Sequence, residues 1–234
     1  MTRVIDLSWP ISEELPIEIG TIRFDRDYDY GDRGFRTHQL TMHLHNGTHV
    51  DAPEHTEPGG AHIDEISPDV LHGPGVVLDL SGFADEDVEF TVEHIQAAEA
   101  KLDEPIRPND LVLLRSDWSS TYGTDRYWPK SPYLSVEAAV YLVQERKVRA
   151  LGYDFSQEAS GRTHQDLQDR IDRGEAKPGE DMVIHHAVLG AGLYHVECLT
   201  NLDKITSQRF TIVVAPLPLK GVEAAPARVF VIED

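Results

Sequence analysis

Residues 43–55 read HLHNGTHVDAPEH, and this stretch decides how the chain around it is expected to fold. Just before and into it, FRTHQLTMHLH alternates apolar and polar residues with a period of two, which predicts a half-buried strand ending near His45. Beyond that point Gly47 and Pro53 interrupt any long regular element. We therefore expect the end of a strand followed by a shaped loop.

The rest of the chain alternates short apolar runs with amphipathic segments. The runs have the length and the Val, Leu and Ile content of buried strands; they are GVVLDL, DLVLLR, RALGYDF, FTIVVAPLP and RVFVIE. TVEHIQAAEAKL and SVEAAVYLVQERK carry helical spacing, with Ser135 as the expected N-cap of the second. VIHHAVLGAGLYHVECL predicts a short helix, a glycine break and a strand. The fold class predicted is α/β: a single compact domain over residues 1–234 with a mixed, sheet-rich core and a few helices.

Composition and charge exclude several classes of partner. The chain carries 41 acidic and 21 basic residues, a formal net charge of −20 that repels nucleic acid and anionic membrane surfaces. No apolar run approaches the roughly 18 residues that cross a bilayer, and MTRVIDLSW lacks the pattern of a signal peptide. The single Cys198 excludes a disulfide framework and a Cys-rich zinc module. We expect a cytoplasmic protein with no nucleic-acid or membrane partner.

The opening stretch also supplies candidate metal ligands. Imidazole nitrogen and carboxylate oxygen bind zinc and neighbouring divalent ions where thiolates are absent, and three such ligands plus water form an open, catalytic site. His45, His49 and Asp51 provide that set, because Gly47 lets the chain curl until they converge. His55, on the constrained loop that follows, is placed to carry a proton beside the ion. The alternative is a group of solvated loop histidines in a chain that contains 12; the placement of Gly and Pro favours the metal site.

The run from His45 to His55 resembles the H-x-G-T-H-x-D-x-P-x-H signature of the metal-dependent cyclase family, which includes bacterial kynurenine formamidases and isatin hydrolases. The likeness covers nearly the whole chain, through VIDLSWPISEELP, GPGVVLDLS, DLVLLRSDWSSTYG, SVEAAVYLVQERK, RALGYDFS and HHAVLGAGLYHVECLTNLD. It implies a swivelling β/β/α-type fold. The chain departs from the family pattern at residues 17–20, at Thr56 and at residues 116–118, where family members shape the substrate pocket.

The resemblance also implies roles for individual residues. It implies that a first metal ion is bound by His45, His49 and Asp51. His55 would be the catalytic residue that transfers a proton. Binuclear members add a second ion bridged by the aspartate, and the matching ligands here are His185 and Glu197, with His186 as the competitor of His185. The implied cofactor is Zn²⁺, as one or two ions, with Mn²⁺ as the alternative. The implied assembly is a homodimer or a higher homo-oligomer.

The expected reaction is metal-assisted hydrolysis of an amide-type carbon–nitrogen bond, with an aryl-formamide such as N-formylkynurenine as substrate. The ion would activate water and stabilise the oxyanion, while His55 moves the proton. The alternatives are hydrolysis of an isatin-like lactam, an ester or a lactone, and a non-catalytic binding module that a metal ion stabilises. An open set of two histidines and one aspartate disfavours the binding module, because structural zinc sites are closed and usually contain cysteine.

Aromatic residues crowd two regions of the sequence and bear on the substrate. They are Trp9, Trp118, Tyr122, Tyr127, Trp128 and Tyr133. Such residues either line a pocket for a flat molecule or serve as core and subunit contacts. The first interpretation predicts a small aromatic substrate.

Overall fold

The chain alternates strands with short helices from its first residues to its last. The computed structural model describes residues 2–16, 20–159 and 169–233. Within these ranges the strands are β1 (Arg3–Asp6), β2 (Arg23–Tyr28), β3 (Thr37–Thr41), β4 (His49–Asp51), β5 (His72–Asp79), β6 (Glu89–Phe90), β7 (Leu111–Arg115), β8 (Tyr133–Leu134), β9 (Ala150–Tyr153), β10 (Tyr194–Glu197), β11 (Arg209–Pro216) and β12 (Ala224–Glu233). The α-helices that lie wholly within these ranges are α1 (Tyr30–Arg33), α2 (Val92–Glu99), α3 (Val136–Val140) and α4 (Val183–Leu189).

The large sheet closes into a barrel-like ring. Hydrogen-bonded neighbours follow the order β1-β12-β11-β5-β7-β9-β10-β4, and β4 pairs again with β12. The length of β12 allows this closure, because its last residues pair with β1 while Ala224, Ala225 and Pro226 pair with β4. Closing the ring leaves β4 paired along both of its edges. Two smaller pairings, β2 with β3 and β6 with β8, lie beside the large sheet.

The sheet is mixed, as predicted, and it is covered on both faces. Strands β5, β7, β9 and β10 run parallel to one another, whereas the pairs made by β11, β12, β1 and β4 are antiparallel. In β7, Leu111 and Leu113 join the core inside the ring, and Val112 and Leu114 pack outside it against the helices. Burial on both faces explains why these strands read as continuous apolar runs instead of alternating ones.

The segment that precedes β4 differs from the prediction. Strand β3 ends at Thr41 instead of near His45, pairs only with β2, and is mostly exposed, with Leu40 at 47%. Its partner β2 is exposed as well along most of its length. The chain leaves the hairpin because the Asn46 N–H donates to the His43 carbonyl (3.1 Å) and closes a turn. Residues 49–51, expected in a loop, form β4 because β10 and β12 pair with them.

The predicted helices are confirmed. Ser135 caps α3 by accepting a hydrogen bond from the Ala138 N–H (3.1 Å), and the helix continues as a π turn over Tyr141–Glu145. The sequence 183–199 forms α4, a break, and β10. Among the described residues, no helix has the length and apolar character needed to cross a membrane.

Candidate metal centre

The centre is built on the β4–β10 ladder. Antiparallel register sets Asp51 opposite His195 and His49 opposite Glu197. Residues paired in this way project from the same face of a sheet, so the four side chains form one polar patch. The intervening residues of both strands face the apolar core inside the ring. The patch is therefore a consequence of strand alternation, and the barrel holds it rigidly.

Gly47 turns the chain so that His45 and His49 meet. Gly47 has a φ of +71°, a conformation that favours glycine, and its carbonyl lies 2.9 Å from Nδ1 of His49. With Nδ1 held in this way, Nε2 of His49 points towards Asp51 and lies 3.4 Å from Oδ1. The rings of His45 and His49 have their centroids 5.1 Å apart. The turn thus fixes the ring of His49 with Nε2 facing the centre.

Two further imidazoles are held by outer carboxylates. His45 has Nε2 3.3 Å from Oε1 of Glu223, and its Nδ1 lies 2.9 Å from Oδ1 of Asp51. His185 has Nδ1 2.8 Å from Oε1 of Glu158, and its Nε2 lies 3.7 Å from Oδ2 of Asp51. One ring nitrogen thus contacts an outer acceptor while the other faces Asp51. Histidines that ligate metals typically have this arrangement, with one ring nitrogen on a carboxylate or carbonyl and the other facing the metal.

The buried polar atoms at the middle of the cluster fit a cation. Asp51 is fully buried, yet neither of its carboxylate oxygens makes a hydrogen bond, and Nε2 of His49 makes none either. Unpartnered buried polar atoms are rare in proteins unless an ion or a water binds them. Two sets of donor atoms lie within 4.8 Å of one another: His45, Asp51 and His55, and His49, Asp51 and Glu197. Both sets contain nitrogen and oxygen donors that suit zinc or manganese.

The two adjacent histidines of helix α4 project in different directions, one into the protein and one towards solvent. His185 is buried, with Nε2 3.2 Å from Oε1 of Glu197. His186 is exposed, and its Nδ1 lies 2.8 Å from Oε1 of Glu57 on the surface. Adjacent helix residues project about 100° apart, so only one of the pair can face the patch. Of the two candidates for the second ion, the helix brings His185 to Asp51 and Glu197.

Electrostatics at the centre favour bound cations. Burial alone would lower the pKa of His49, but Asp51 outweighs it and raises that pKa well above 6.5. The pKa of His185 is likewise raised, because contacts with Asp51 and the neighbouring carboxylates outweigh burial. Burial would raise the pKa of Asp51, but the charges of His49 and His45 hold it well below 3.8. Without metal, protons supply the positive charge that an ion would supply when bound.

His55 behaves differently from the other histidines. It ends a 3₁₀ turn, Pro53–His55, and its ring centroid lies 4.3 Å from that of His45 and 5.4 Å from that of His185. Burial lowers the pKa of His55 to about 4, because the opposing pull of Asp51 is smaller than the cost of burying a charge. The imidazole is therefore neutral at neutral pH, with a lone pair available to accept a proton.

Part of the aromatic group lies beside the histidine turn. Trp9 stacks on Tyr122 with centroids 4.8 Å apart, and its backbone N–H donates to Oγ1 of Thr48 (3.0 Å). Tyr122 in turn contacts the ring of Tyr127 edge-on at 4.7 Å. Trp118 and Tyr127 are buried core residues, whereas Trp9 and Tyr122 are only partly buried. Of the predicted group, Trp118 and Tyr127 are thus core residues, and Trp9 and Tyr122 form a partly buried pair next to the centre.

Four polar residues of the centre escaped sequence reasoning. His195 shares strand parity with Glu197, so alternation alone could have found it. Gln157 and Glu158 follow the carboxyl end of β9, a position that often carries functional residues in parallel sheets. Glu223 gives no local signal, because it meets His45 from 178 positions away. Of the positions that depart from the family pattern, residues 17–19 lie outside the described residues.

The closed α/β sheet and the histidine–carboxylate cluster define a protein with a site able to hold a metal ion. Residues 5–158 match the family model described as "Putative cyclase", and the chain belongs to this cyclase family.

Named relatives of the chain are hydrolases. Kynurenine formamidase from Bacillus thuringiensis (strain Al Hakam) is 23% identical over 231 residues, which cover 96% of this chain and 94% of the relative. Among solved structures, isatin hydrolase A from Labrenzia aggregata superimposes with a TM-score of 0.83 at 30% identity and covers 99% of this chain and 93% of its own. A structure described as a "Potential Metal-Dependent Hydrolase With Cyclase Activity" has a TM-score of 0.73 at 28% identity and covers 100% and 99%. These likenesses span the whole fold, including the cluster.

Proposed function

We propose that this protein is a metal-dependent hydrolase that cleaves an amide-type carbon–nitrogen bond in a small aromatic substrate, such as the aryl-formamide N-formylkynurenine. The observation that carries the proposal is the buried Asp51 carboxylate, whose oxygens make no hydrogen bond and are faced by nitrogen atoms of His45, His49 and His185. The names of the relatives support hydrolysis of a formamide or of an isatin-type lactam.

The metal ligands belong to the same proposal. A first ion would be held by His45, His49 and Asp51, and a second by Asp51, His185 and Glu197. A bound divalent ion lowers the pKa of a coordinated water towards ~7 and polarises a carbonyl oxygen. Glu223, Glu158 and the Gly47 carbonyl would orient the ligand nitrogens. The histidines His49 and His45 lower the pKa of Asp51 and keep it ionised. We propose Zn²⁺ as the native ion, with Mn²⁺ as the alternative.

His55 is the proposed proton carrier. Its imidazole lies beside the centre and is neutral, because burial lowers its pKa more than the charge of Asp51 raises it. It can therefore accept the proton of the attacking water and deliver it to the leaving nitrogen. Exchange of His55 between the neutral and protonated forms is required once per turnover. Loss of this ring should slow the reaction by the ~10²- to 10⁴-fold that general acid–base catalysis typically contributes.

The stacked pair Trp9 and Tyr122 is the proposed support for a flat substrate. Thr48 ties Trp9 to the turn between His45 and His49, so an aromatic ring placed on this pair would lie near the ligand residues. Both aryl-formamides and isatin-type lactams are flat and carry a carbonyl next to an aromatic ring. The lactam is the second candidate substrate, and the 30% identity to isatin hydrolase A over the whole chain favours it.

The proposal is tested by metal content and turnover together. His49→Ala should abolish both, because it removes a ligand, whereas His55→Ala should keep the metal and lose rate. Turnover is followed with N-formylkynurenine, isatin and simple aryl esters in the presence of Zn²⁺ or Mn²⁺. A His55→Ala protein with the kcat of the parent refutes the role of His55. Absence of turnover of all three substrates by the metal-loaded parent refutes the hydrolase.

We also propose a homo-oligomer, assembled through the hairpin formed by β2 and β3. Large apolar side chains on the hairpin and its connection are 40–64% exposed; they are Phe24, Tyr28, Tyr30, Phe35 and Leu40. Exposed apolar residues clustered in this way are typical of protein interfaces. Light scattering on the purified protein should give the mass of at least two chains, and the double variant Phe35→Glu with Leu40→Glu should reduce it to one. A parent protein with the mass of a single chain refutes this assembly.

A further inference from the structure

The side-chain amide of Gln157 lies between the two residues proposed to complete a second metal position. Gln157 is buried, and its Nε2 lies 3.2 Å from Nε2 of His185. The same nitrogen donates a hydrogen bond to Oε1 of Glu197. His185 and Glu197 are themselves 3.2 Å apart, measured from Nε2 to Oε1. A single amide nitrogen thus contacts the inner donor atoms of both residues.

The orientation of this amide follows from its partners. A carboxylate oxygen only accepts hydrogen bonds, so Glu197 requires the NH₂ group of Gln157 and not its carbonyl oxygen. The second contact of this nitrogen is with Nε2 of His185, whose other ring nitrogen lies 2.8 Å from Oε1 of Glu158. The hydrogen bond to Glu197 therefore fixes which end of the amide faces the two residues.

The backbone on either side holds the amide in position. The carbonyl of Gln157 accepts a hydrogen bond from the Leu134 N–H (3.0 Å), which ties it to β8. The next residue, Glu158, accepts from the N–H groups of Ile184 (2.9 Å) and His185 (3.0 Å) at the start of α4. Residue 157 is thus pinned between β8 and α4, and only its side chain is free to move away.

We propose that Gln157 controls the occupancy of the second ion: its NH₂ group fills the space between His185 and Glu197 and must withdraw before an ion can bind there. This inference rests on the proposed metal centre, and it predicts different affinities for the first and the second ion. Around the first position, Nε2 of His49 and both oxygens of Asp51 make no hydrogen bond, so no side chain has to withdraw. The first ion therefore binds tightly and the second weakly.

A ligand role for Gln157 makes the opposite prediction. If the amide rotated by about 180° when an ion arrived, its carbonyl oxygen would face the ion and strengthen the second position. Shortening the side chain would then weaken the second ion, whereas it strengthens that ion if the amide is a competitor. The sign of the change therefore distinguishes the two roles.

The test is equilibrium dialysis of the full-length protein against rising Zn²⁺, with the metal-to-protein ratio measured by mass spectrometry. Gln157→Ala and Gln157→Ser open the space, so the second equivalent should bind at least about tenfold more tightly, because a charge-assisted hydrogen bond no longer has to be broken. Gln157→Leu fills a similar volume without a donor or a ligand atom and should lose the second equivalent. The first equivalent should be unchanged in all three.

Two controls separate the possible failures. Gln208→Ala removes a different glutamine, whose side chain donates to the Lys101 carbonyl and accepts from the Asp103 N–H. This variant should change the binding of neither the first nor the second Zn²⁺ equivalent. Melting curves establish that each variant is folded. If the Ala and Ser variants bind the second ion more weakly than the parent, or identically, the competitor role is refuted while the metal centre stands. If the parent fails to bind even one equivalent, the proposed metal centre is itself refuted.

Discussion

Removing the carboxylate of Glu158 tests whether His185 is held ready for a metal ion. Oε1 of Glu158 accepts from the N–H groups of Ile184 (2.9 Å) and His185 (3.0 Å), and lies 2.8 Å from Nδ1 of the His185 ring. The two backbone groups open α4, where the N-cap residue Met182 makes no side-chain hydrogen bond. Glu158 therefore caps the helix from outside and fixes the imidazole at the same time.

The expected loss follows from these three contacts. Each hydrogen bond to a charged group contributes ~1.5–3 kcal/mol, and a missing helix cap costs ~0.5–2 kcal/mol. Because the contributions overlap, Glu158→Ala should lower the free energy of unfolding by ~3–5 kcal/mol. In a chain of this length each kcal/mol shifts Tm by ~2–4 °C, so Tm should fall by ~6–20 °C. The affinity for the second Zn²⁺ ion should fall ~10- to 100-fold, because the ring of His185 is no longer held in place.

The neighbouring histidine supplies a matched control. Glu57 lies 2.8 Å from Nδ1 of His186, the same distance, but these side chains are 36% and 46% exposed. Exposed pairs of this kind contribute ~0–1 kcal/mol, so Glu57→Ala should shift Tm little and leave Zn²⁺ affinity unchanged. Glu158→Gln keeps an acceptor for the backbone but removes the charge. It should retain most of the stability and still bind Zn²⁺ more weakly than the parent.

The assay combines calorimetric melting of the metal-free proteins with Zn²⁺ titration. Melting reports the capping role, and titration reports the role towards His185. Equal Tm shifts for Glu158→Ala and Glu57→Ala would refute the reasoning about the buried contact. A Glu158→Ala protein that stays folded and binds the second Zn²⁺ ion as tightly as the parent would refute the link between Glu158 and the metal centre.

Further predictions concern protons, packing and a buried turn. Because the pKa values of His49 and His185 are raised, the stability they give the metal-free protein is fully present below pH ~6.5 and is lost as pH rises through the raised values. The gain in Tm on adding Zn²⁺ should therefore grow with pH, and calorimetry in buffers of different ionisation enthalpy should detect released protons. A gain in Tm that does not depend on pH contradicts this. In Gly152→Ala the new Cβ would stand 2.6 Å from Cδ2 of Leu113, so chemical denaturation should show a loss of ~1–3 kcal/mol, and an unchanged midpoint would contradict the packing. Asp154→Ala removes a buried carboxylate that accepts three hydrogen bonds from the turn after β7. Tm should fall far more than in Asp154→Asn, which keeps an acceptor. Equal melting temperatures of the two variants contradict a role of Asp154 in holding the turn.

Local sequence patterns predicted the fold well wherever one element decides its own structure. The runs that became β5, β7, β9, β11 and β12 are long enough and apolar enough to specify strands without help from partners. The α4–β10 unit was predicted for the same reason, because a glycine break separates two clear patterns. The cyclase family was also predicted, on the run from His45 to His55, and the family match confirms it.

Prediction failed where pairing between distant segments decides the structure. FRTHQLTMHLH has the alternation of a half-buried strand, yet the hairpin that contains β3 has no core beneath it and stays exposed. His49 and Asp51 gain their strand only because β10 and β12 lie on either side. The contacts of His45 with Glu223 and of His185 with Glu158 likewise join segments that no local pattern connects.

Strand β12 is synthesised after every other described strand, and it supplies one of the two edges that hold β4. Until the ribosome has made it, the ring is open and the segment carrying His49 and Asp51 lacks half of its backbone partners. Chains fold during synthesis from the N-terminal side, and contacts this remote form late. We therefore expect a nascent chain to complete the proposed metal centre only after β12 has left the ribosome, so that metal ions supplied before that point would not hasten maturation.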